Sequence, residues 1–196
     1  MIERTLYTDG ACPGNGTEDA KGGDGWALEN KITKSFTWCS KMTERYGKPT
    51  NQKCELMAVA QIVFATGVEV LGEKPWYADN LYCPETGEIQ YLLHIKSDSK
   101  YVVDGINHWL RSWKANGWKN SKKKPISNMQ MWKDLDAVLS YGHLRGCFTF
   151  SYVPGHSGDP GNNAADQAAR DGVENGTTIP ENAWKELMDM LTTMHS

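Results

Sequence analysis

The sequence predicts an α/β domain: a mixed five-stranded sheet flanked by helices. Three observations predict it. The first forty or so residues hold three β-prone runs in series, separated by glycine-rich or polar breaks. From about residue 50 onward, β-prone runs alternate with stretches of helical period. Two of the β-prone runs lead straight into an aspartate, Asp9 and Asp98. Strands in series, then strands alternating with helices, imply an antiparallel meander continued by parallel strands.

Taken in order, Arg4 to Thr8 is the first strand, leading into Asp9 and a glycine-rich turn over Gly10 to Gly16. Gly22-Gly23-Asp24-Gly25 reads as a second turn, where backbone approaches a ligand closely. Trp26 to Asn30 and Lys34 to Cys39 are the next strands, joined by a tight turn near Lys31. A helix over Asn51 to Ala65 follows, because Leu56, Val59, Ala60 and Val63 recur at i, i+3, i+4, i+7 and give one buried stripe; Gly67 is its stop. Leu92 to Ser97 is the fourth strand. Ser99 can cap a helix running to about Lys114. Asn128 to Tyr141 is a helix with Trp132, Leu135 and Leu139 inward, and Phe148 to Val153 is the last strand. Asn162 to Asp171 is a helix ended by Gly172.

Two segments read as additions. Between 72 and 90 there is no helical period, and Pro84-Glu85-Thr86-Gly87 suits the turn of a small hairpin. Thr178-Ile179-Pro180-Glu181 has the capping-box pattern, and Trp184, Leu187, Met188 and Leu191 line one face of a short helix. Residues 1–176 therefore read as one domain interrupted at about 72–90, and 177–196 as a helical extension.

The chain of 196 residues is 39% hydrophobic and 23% charged, which marks a globular protein rather than a disordered one. No apolar run approaches the roughly 20 residues that span a bilayer, so no membrane partner is expected. The first strand begins so early that no signal or transit peptide is expected. The five cysteines have no CxxC spacing and read as free thiols, as in a reducing, cytoplasmic setting. Net charge is −3, but Lys96 to Lys124 holds eight basic residues and two acidic ones. A basic segment on an acidic body can focus a polyanion onto one face.

Four acids stand out by context: Asp9 in Tyr-Thr-Asp-Gly, Glu55 in Cys-Glu-Leu-Met-Ala, Asp98 in Ser-Asp-Ser-Lys-Tyr and Asp166 in Ala-Asp-Gln-Ala-Ala. Asp9 and Asp98 close strands; Glu55 and Asp166 lie near helix starts. Any one of them alone would read as a cap or a surface charge. Together they can form an all-oxygen site for a hard cation such as Mg²⁺, and such a site can carry out phosphodiester chemistry. His156 lies between Gly155 and Gly158 on an expected loop, where Asp159 is an acid positioned to raise its pKa. Trp109 and Trp113 are one helical turn apart and read as partly buried. Lys114, Lys119 and Lys122-Lys123-Lys124 read either as a solvated charge run or as a polyanion contact.

Thr8-Asp9-Gly10, Glu55-Leu56-Met57-Ala58, Asp98-Ser99-Lys100-Tyr101-Val102, Trp109 through Lys124, and Gly155-His156-Ser157-Gly158 with Asp166 occur in an order that resembles type 1 ribonucleases H. The resemblance runs from about Arg4 to Arg170 and implies the ribonuclease H-like fold, with RNA–DNA hybrid as substrate. It implies that Asp9, Glu55 and Asp98 ligate two Mg²⁺ ions, with Mn²⁺ able to substitute, that Asp166 completes the site, and that His156 shuttles protons and aids product departure. It further implies that Cys12, Asn15, Asn51, Gln52 and Lys100 line the hybrid groove, and that Thr50, Lys53 and Asn128 hold a DNA phosphate. The segment with Trp113, Lys114, Trp118, Lys119, Lys122, Lys123 and Lys124 resembles the basic protrusion that grips the DNA strand. Gln52, Lys53 and Lys100 depart from the residues common in the family, Asn, Arg and Gln. The implied enzyme is a monomer that leaves 5′-phosphate and 3′-hydroxyl ends. A non-catalytic hybrid-binding module and a DNA-directed nuclease or resolvase on the same fold are the alternatives, and cleavage assays on the three substrate types separate them.

Overall fold

The computed structural model describes residues 2–28, 32–67, 91–140 and 146–179, and beyond them Lys185, Met188, Asp189 and Thr192. Its strands are β1 Ile2–Ala11, β2 Gly23–Leu28, β3 Ile32–Thr37, β4 Tyr91–Ser97 and β5 Phe148–Tyr152, in the sheet order β3-β2-β1-β4-β5. β1, β2 and β3 pair antiparallel, while β1, β4 and β5 pair parallel. The meander continued by parallel strands is therefore the observed topology. The register places the chemistry: Thr8 of β1 lies opposite Ser97 of β4. Asp9, still within β1, and Asp98, just past β4, each one residue further on, thus lie side by side at the C-terminal ends of these two inner strands.

The helices are α1 Ser40–Tyr46, α2 Asn51–Gly67, α3 Lys100–Asp104, α4 Leu110–Ala115, α5 Met129–Leu139 and α6 Pro160–Asn175. α1 was not expected. It has only two buried residues, Met42 and Tyr46, too few for a periodic signal. Its anchor is tertiary: Arg45 donates to Asp134 of α5 through Nε (2.7 Å) and Nη2 (2.8 Å), and the Tyr46 hydroxyl donates to the same carboxylate (2.9 Å). α2 is buried beyond the expected stripe. Every residue from Leu56 to Phe64 is inside, because the helix lies between the sheet and α5. The helix expected from Ser99 to Lys114 is α3 and α4 joined by one π turn, Gly105–Trp109. A side chain at Gly105 would come within 2.3 Å of the Trp132 ring, so the helix wall rests directly on that indole. Ser99 sits at the cap position, but its side chain makes no capping bond.

Two readings of glycine need correction. Gly23, Asp24 and Gly25 are not a turn but the start of β2, and α6 does not stop at Gly172. A Cβ at Gly23 or Gly25 would lie 2.4 Å from Val173 N or 2.6 Å from Ala168 C, and one at Gly172 would lie 2.5 Å from Phe36 O. These glycines let α6 lie on the backbone of β2 and β3 rather than admitting a ligand. α6 begins earlier than expected because Asp159 caps it, accepting from Gly161 N (2.8 Å) and Asn162 N (3.2 Å), with Pro160 in the first turn.

The turn near Lys31, the 72–90 segment, Cys83, Tyr141, and Trp184, Leu187 and Leu191 lie outside the described residues. Of the C-terminal stripe, Met188 is described, and it packs against the main core. Cys12, Cys39, Cys54 and Cys147 are free thiols. Among the described residues, no helix is long and apolar enough to cross a membrane.

Asp24 is wholly buried on the α2 face of β2, opposite Gly10, and neither carboxylate oxygen has a hydrogen-bond partner. Burial holds its pKa well above the ordinary carboxylate value. The raised value means that the folded state loses stability as pH climbs above the unfolded carboxylate value, until the folded pKa is reached. Asp24→Asn cannot ionise. Its melting temperature relative to the parent chain should therefore rise as pH climbs above the unfolded carboxylate value of about 4, by at most about 1.4 kcal/mol of stability per pH unit, and level off once the folded pKa is passed. A pH-independent difference would show that the fold does not raise the Asp24 pKa above its unfolded value.

Candidate active site

The site is assembled where β1, β4 and the first turns of α2 meet. A Cβ on Gly10 would lie 2.2 Å from Glu55 N and 2.3 Å from Cys54 C. The bare glycine therefore brings the α2 backbone onto β1, and Glu55 comes down beside Asp9. Asp9, Glu55 and Asp98 each place a carboxylate oxygen within 4.8 Å of the other two. Asp9 is buried, and Glu55 and Asp98 are half-buried.

Burial first, and then the charge of Asp98, push the Asp9 carboxyl up to about 7, with Asp166 adding to the rise. A hydrogen bond from Gly10 N (2.8 Å) pulls it partly back. Burial, followed by the charges of Asp9 and Asp98, holds Glu55 well above its ordinary value. Glu55 Oε2 is buried with no hydrogen-bond partner. An all-oxygen donor set with an orphaned buried oxygen and mutual repulsion is suited to a divalent cation, which would satisfy the oxygen and cancel the repulsion. The residues thus fit Mg²⁺.

Asp166 does not join this group of three. It lies close enough for its charge to act on Asp9, but both its oxygens are held by Arg170, at 2.7 Å from Nη2 to Oδ2 and at 3.0 and 3.2 Å from Nη2 and Nε to Oδ1. His156 is exposed on the loop after β5, with φ 54°. The same loop presses on the acids: a Cβ on Gly155 would lie 2.8 Å from Asp98 Oδ2. Asp159 is turned away into the α6 cap, which engages it with the helix N–H groups.

The remaining candidates fall into three clusters. Asn15 Oδ1 accepts from Asn51 N (3.3 Å), which ties the loop after β1 to the start of α2, with Gln52 exposed beside them and Cys12 buried. Thr50 Oγ1 accepts from Lys53 N (3.3 Å) and so caps α2. Lys53 and Asn128 line one cavity of about 260 Å³ together with Arg45, Tyr46 and Gln130; Thr50 is not among its lining residues. Lys53 Nζ donates to Lys48 O (2.7 Å), and Lys100 Nζ lies 5.1 Å from the Tyr152 ring centre. Past α4 the chain folds into a narrow hairpin. Asn120 Oδ1 accepts from Lys122 N (2.9 Å) and Lys124 N (3.2 Å), and Lys119 bridges to Pro125. Lys119, Lys122, Lys123 and Lys124 are exposed on it, whereas Lys114 is ion-paired with Asp136 at 2.7 Å. Trp113 and Trp118 are part-buried against the core, and Trp113 meets Trp132 edge-on at 5.2 Å.

Asn162 escaped the sequence reading. It is 3% exposed, and its Nδ2 lies 3.4 Å from Asp98 Oδ2, so it helps orient that carboxylate. The Asp159-Pro160 capping pattern just before it was the available signal.

A family model described as RNase H matches residues 2–174. A ribonuclease H of Bradyrhizobium diazoefficiens is 37% identical over 169 residues, covering 86% of this chain and 88% of its own. One of Verminephrobacter eiseniae is 36% identical over 174 residues, covering 89% and 92%. A solution structure of the PFV RNase H domain superposes with a TM-score of 0.60 at 22% identity, over 90% of this chain and 98% of that one, and supports the fold alone.

Proposed function

The chain belongs to the RNase H family, and from that premise we propose that it is a Mg²⁺-dependent endoribonuclease cutting the RNA strand of RNA–DNA hybrids. The observation that carries the reading is the convergence of Asp9, Glu55 and Asp98 at the C-terminal ends of the inner strands β1 and β4, with a buried oxygen left unsatisfied. In this reading those three acids, with Asp166 as a fourth, hold the cations. Bound there, Mg²⁺ supplies water activation and stabilisation of the leaving 3′-oxygen. Asn162 and the Gly155 backbone keep Asp98 in place. His156, exposed on its loop, carries a proton and eases product departure. Asn15 and the backbone near Cys12 line the hybrid groove, and Asn51, Gln52 and Lys100 meet the RNA strand there. Thr50, Lys53 and Asn128 receive a DNA phosphate, and the hairpin lysines grip the same strand further along. Residues 1–176 carry the chemistry, and 177–196 dock on their own domain, a reading that the packing of Met188 supports.

The test is cleavage of an end-labelled RNA–DNA hybrid with Mg²⁺ or with EDTA, beside duplex RNA and branched DNA. The expected result is cutting of the hybrid RNA alone, in Mg²⁺ alone, with 5′-phosphate and 3′-hydroxyl ends. No cutting of hybrid, or preferred cutting of branched DNA, overturns the reading.

The hairpin gives a separate expectation for binding. Replacing Lys122, Lys123 and Lys124 by glutamine should weaken hybrid binding and flatten its salt dependence. Each phosphate that is no longer neutralised lowers the log–log slope by about 0.9 on B-form DNA, and the same direction holds for a hybrid. An unaltered slope in a fluorescence titration series would mean that these cations are only solvated.

A further inference from the structure

α6 is fixed on β2 by backbone contact at Gly23, Gly25 and Gly172, so the Asp166 main chain has little room to move. Its side chain does have a choice. At present both oxygens lie on the Arg170 guanidinium one helical turn away, at 2.7–3.2 Å. Asp9, Glu55 and Asp98 cluster without it. Arg170 is 59% exposed along its side chain and is free to swing into solvent.

We propose that Arg170 is a positioning residue that holds Asp166 apart from the three-acid group, so that a divalent cation must displace the guanidinium before Asp166 can serve as its ligand. This rests on the reading of Asp166 as a cation ligand. The physical basis is competition for one carboxylate: Arg170 neutralises Asp166 while the site is empty of cations and stands as a rival when they enter. Arg170 thereby sets the Mg²⁺ concentration at which the site is fully loaded. An exposed i,i+4 pair is a weak clamp, so the effect is a tuning one, up to about five-fold in cation affinity.

The experiment is calorimetric titration of Mg²⁺ into the full chain, without nucleic acid and at constant ionic strength. Four proteins are compared: the parent, Arg170→Gln, Asp166→Asn and the double variant, with melting in EDTA confirming that each is folded. The expected result is tighter Mg²⁺ binding in Arg170→Gln, by about two- to five-fold, and no such gain when Asp166→Asn is already present. Arg170→Lys, which keeps the charge but not the two-pronged contact, should fall between parent and glutamine variant. Unchanged or weaker binding in Arg170→Gln overturns the proposal. So does an equal gain in the Asp166→Asn background, because that would be a general charge effect, and so does an absence of Mg²⁺ binding by the parent. Failure of hybrid cleavage by the parent refutes the enzyme reading and leaves this result standing.

Discussion

Asp9→Asn should abolish Mg²⁺-dependent hybrid cleavage and, without divalent ions, make the fold more stable at neutral pH. The two effects share one cause. Asp9 is buried among like charges, and its carboxyl is pushed up to about 7. Because that folded value lies above the unfolded one, stability is fully present below about pH 4 and is lost as pH rises through 7. The parent chain in EDTA should therefore melt at a lower temperature at pH 8 than at pH 5.5, and Asp9→Asn should lessen that dependence. The amide still accepts from Gly10 N, so the local backbone is kept. As a cation ligand, however, it lacks charge. With metal-ion assistance worth several kcal/mol, the rate should fall by about a thousand-fold or more. Cleavage kinetics and melting curves on the same sample check both halves. Activity near that of the parent would remove Asp9 from the chemistry.

Gly10→Ala should be nearly as damaging, although glycine carries no chemistry. The added methyl would sit 2.2 Å from Glu55 N, 2.3 Å from Cys54 C and 2.8 Å from Cys54 O. All three are backbone atoms, so no side-chain rotation relieves the clash, and α2 must lift from β1. Overpacking of this kind costs about 1–3 kcal/mol of stability. Lifting α2 also draws Glu55 from Asp9, and a misplacement of about 1 Å in a catalytic arrangement costs on the order of 10²-fold in rate. Melting temperature and cleavage rate should both drop, with the rate of the surviving folded fraction still low. A variant with the parent's melting temperature and rate would show that the contact is not tight in solution.

The alternation of β-prone and helical segments was enough to predict the sheet, its mixed direction and, among the described residues, every helix but α1, with α3 and α4 read as one, because burial of one face leaves a periodic trace in sequence. The acids were legible for another reason: Asp9 and Asp98 follow β-prone runs directly, and strand ends are where a sheet presents side chains. The basic run was legible as composition, but not its shape. The hairpin depends on Asn120 bonding to residues two and four ahead, and Lys114 is drawn off by Asp136 on another helix.

By itself, the sequence determined the order of elements, the family likeness and the four acids as candidates. Only the tertiary structure decided which acids meet. The Thr8–Ser97 register sets Asp9 beside Asp98, the bare Gly10 admits Glu55, and Asp166 stands outside the group of three, paired with Arg170. It also decided that Gly23, Gly25 and Gly172 serve helix packing and not a ligand, and that Asp24 is sealed without a partner. The physical reason is one of range. Periodicity and capping act between near neighbours and are written locally, whereas close approach, desolvation and the choice of charge partner depend on residues far apart in the chain and exist only once it is folded.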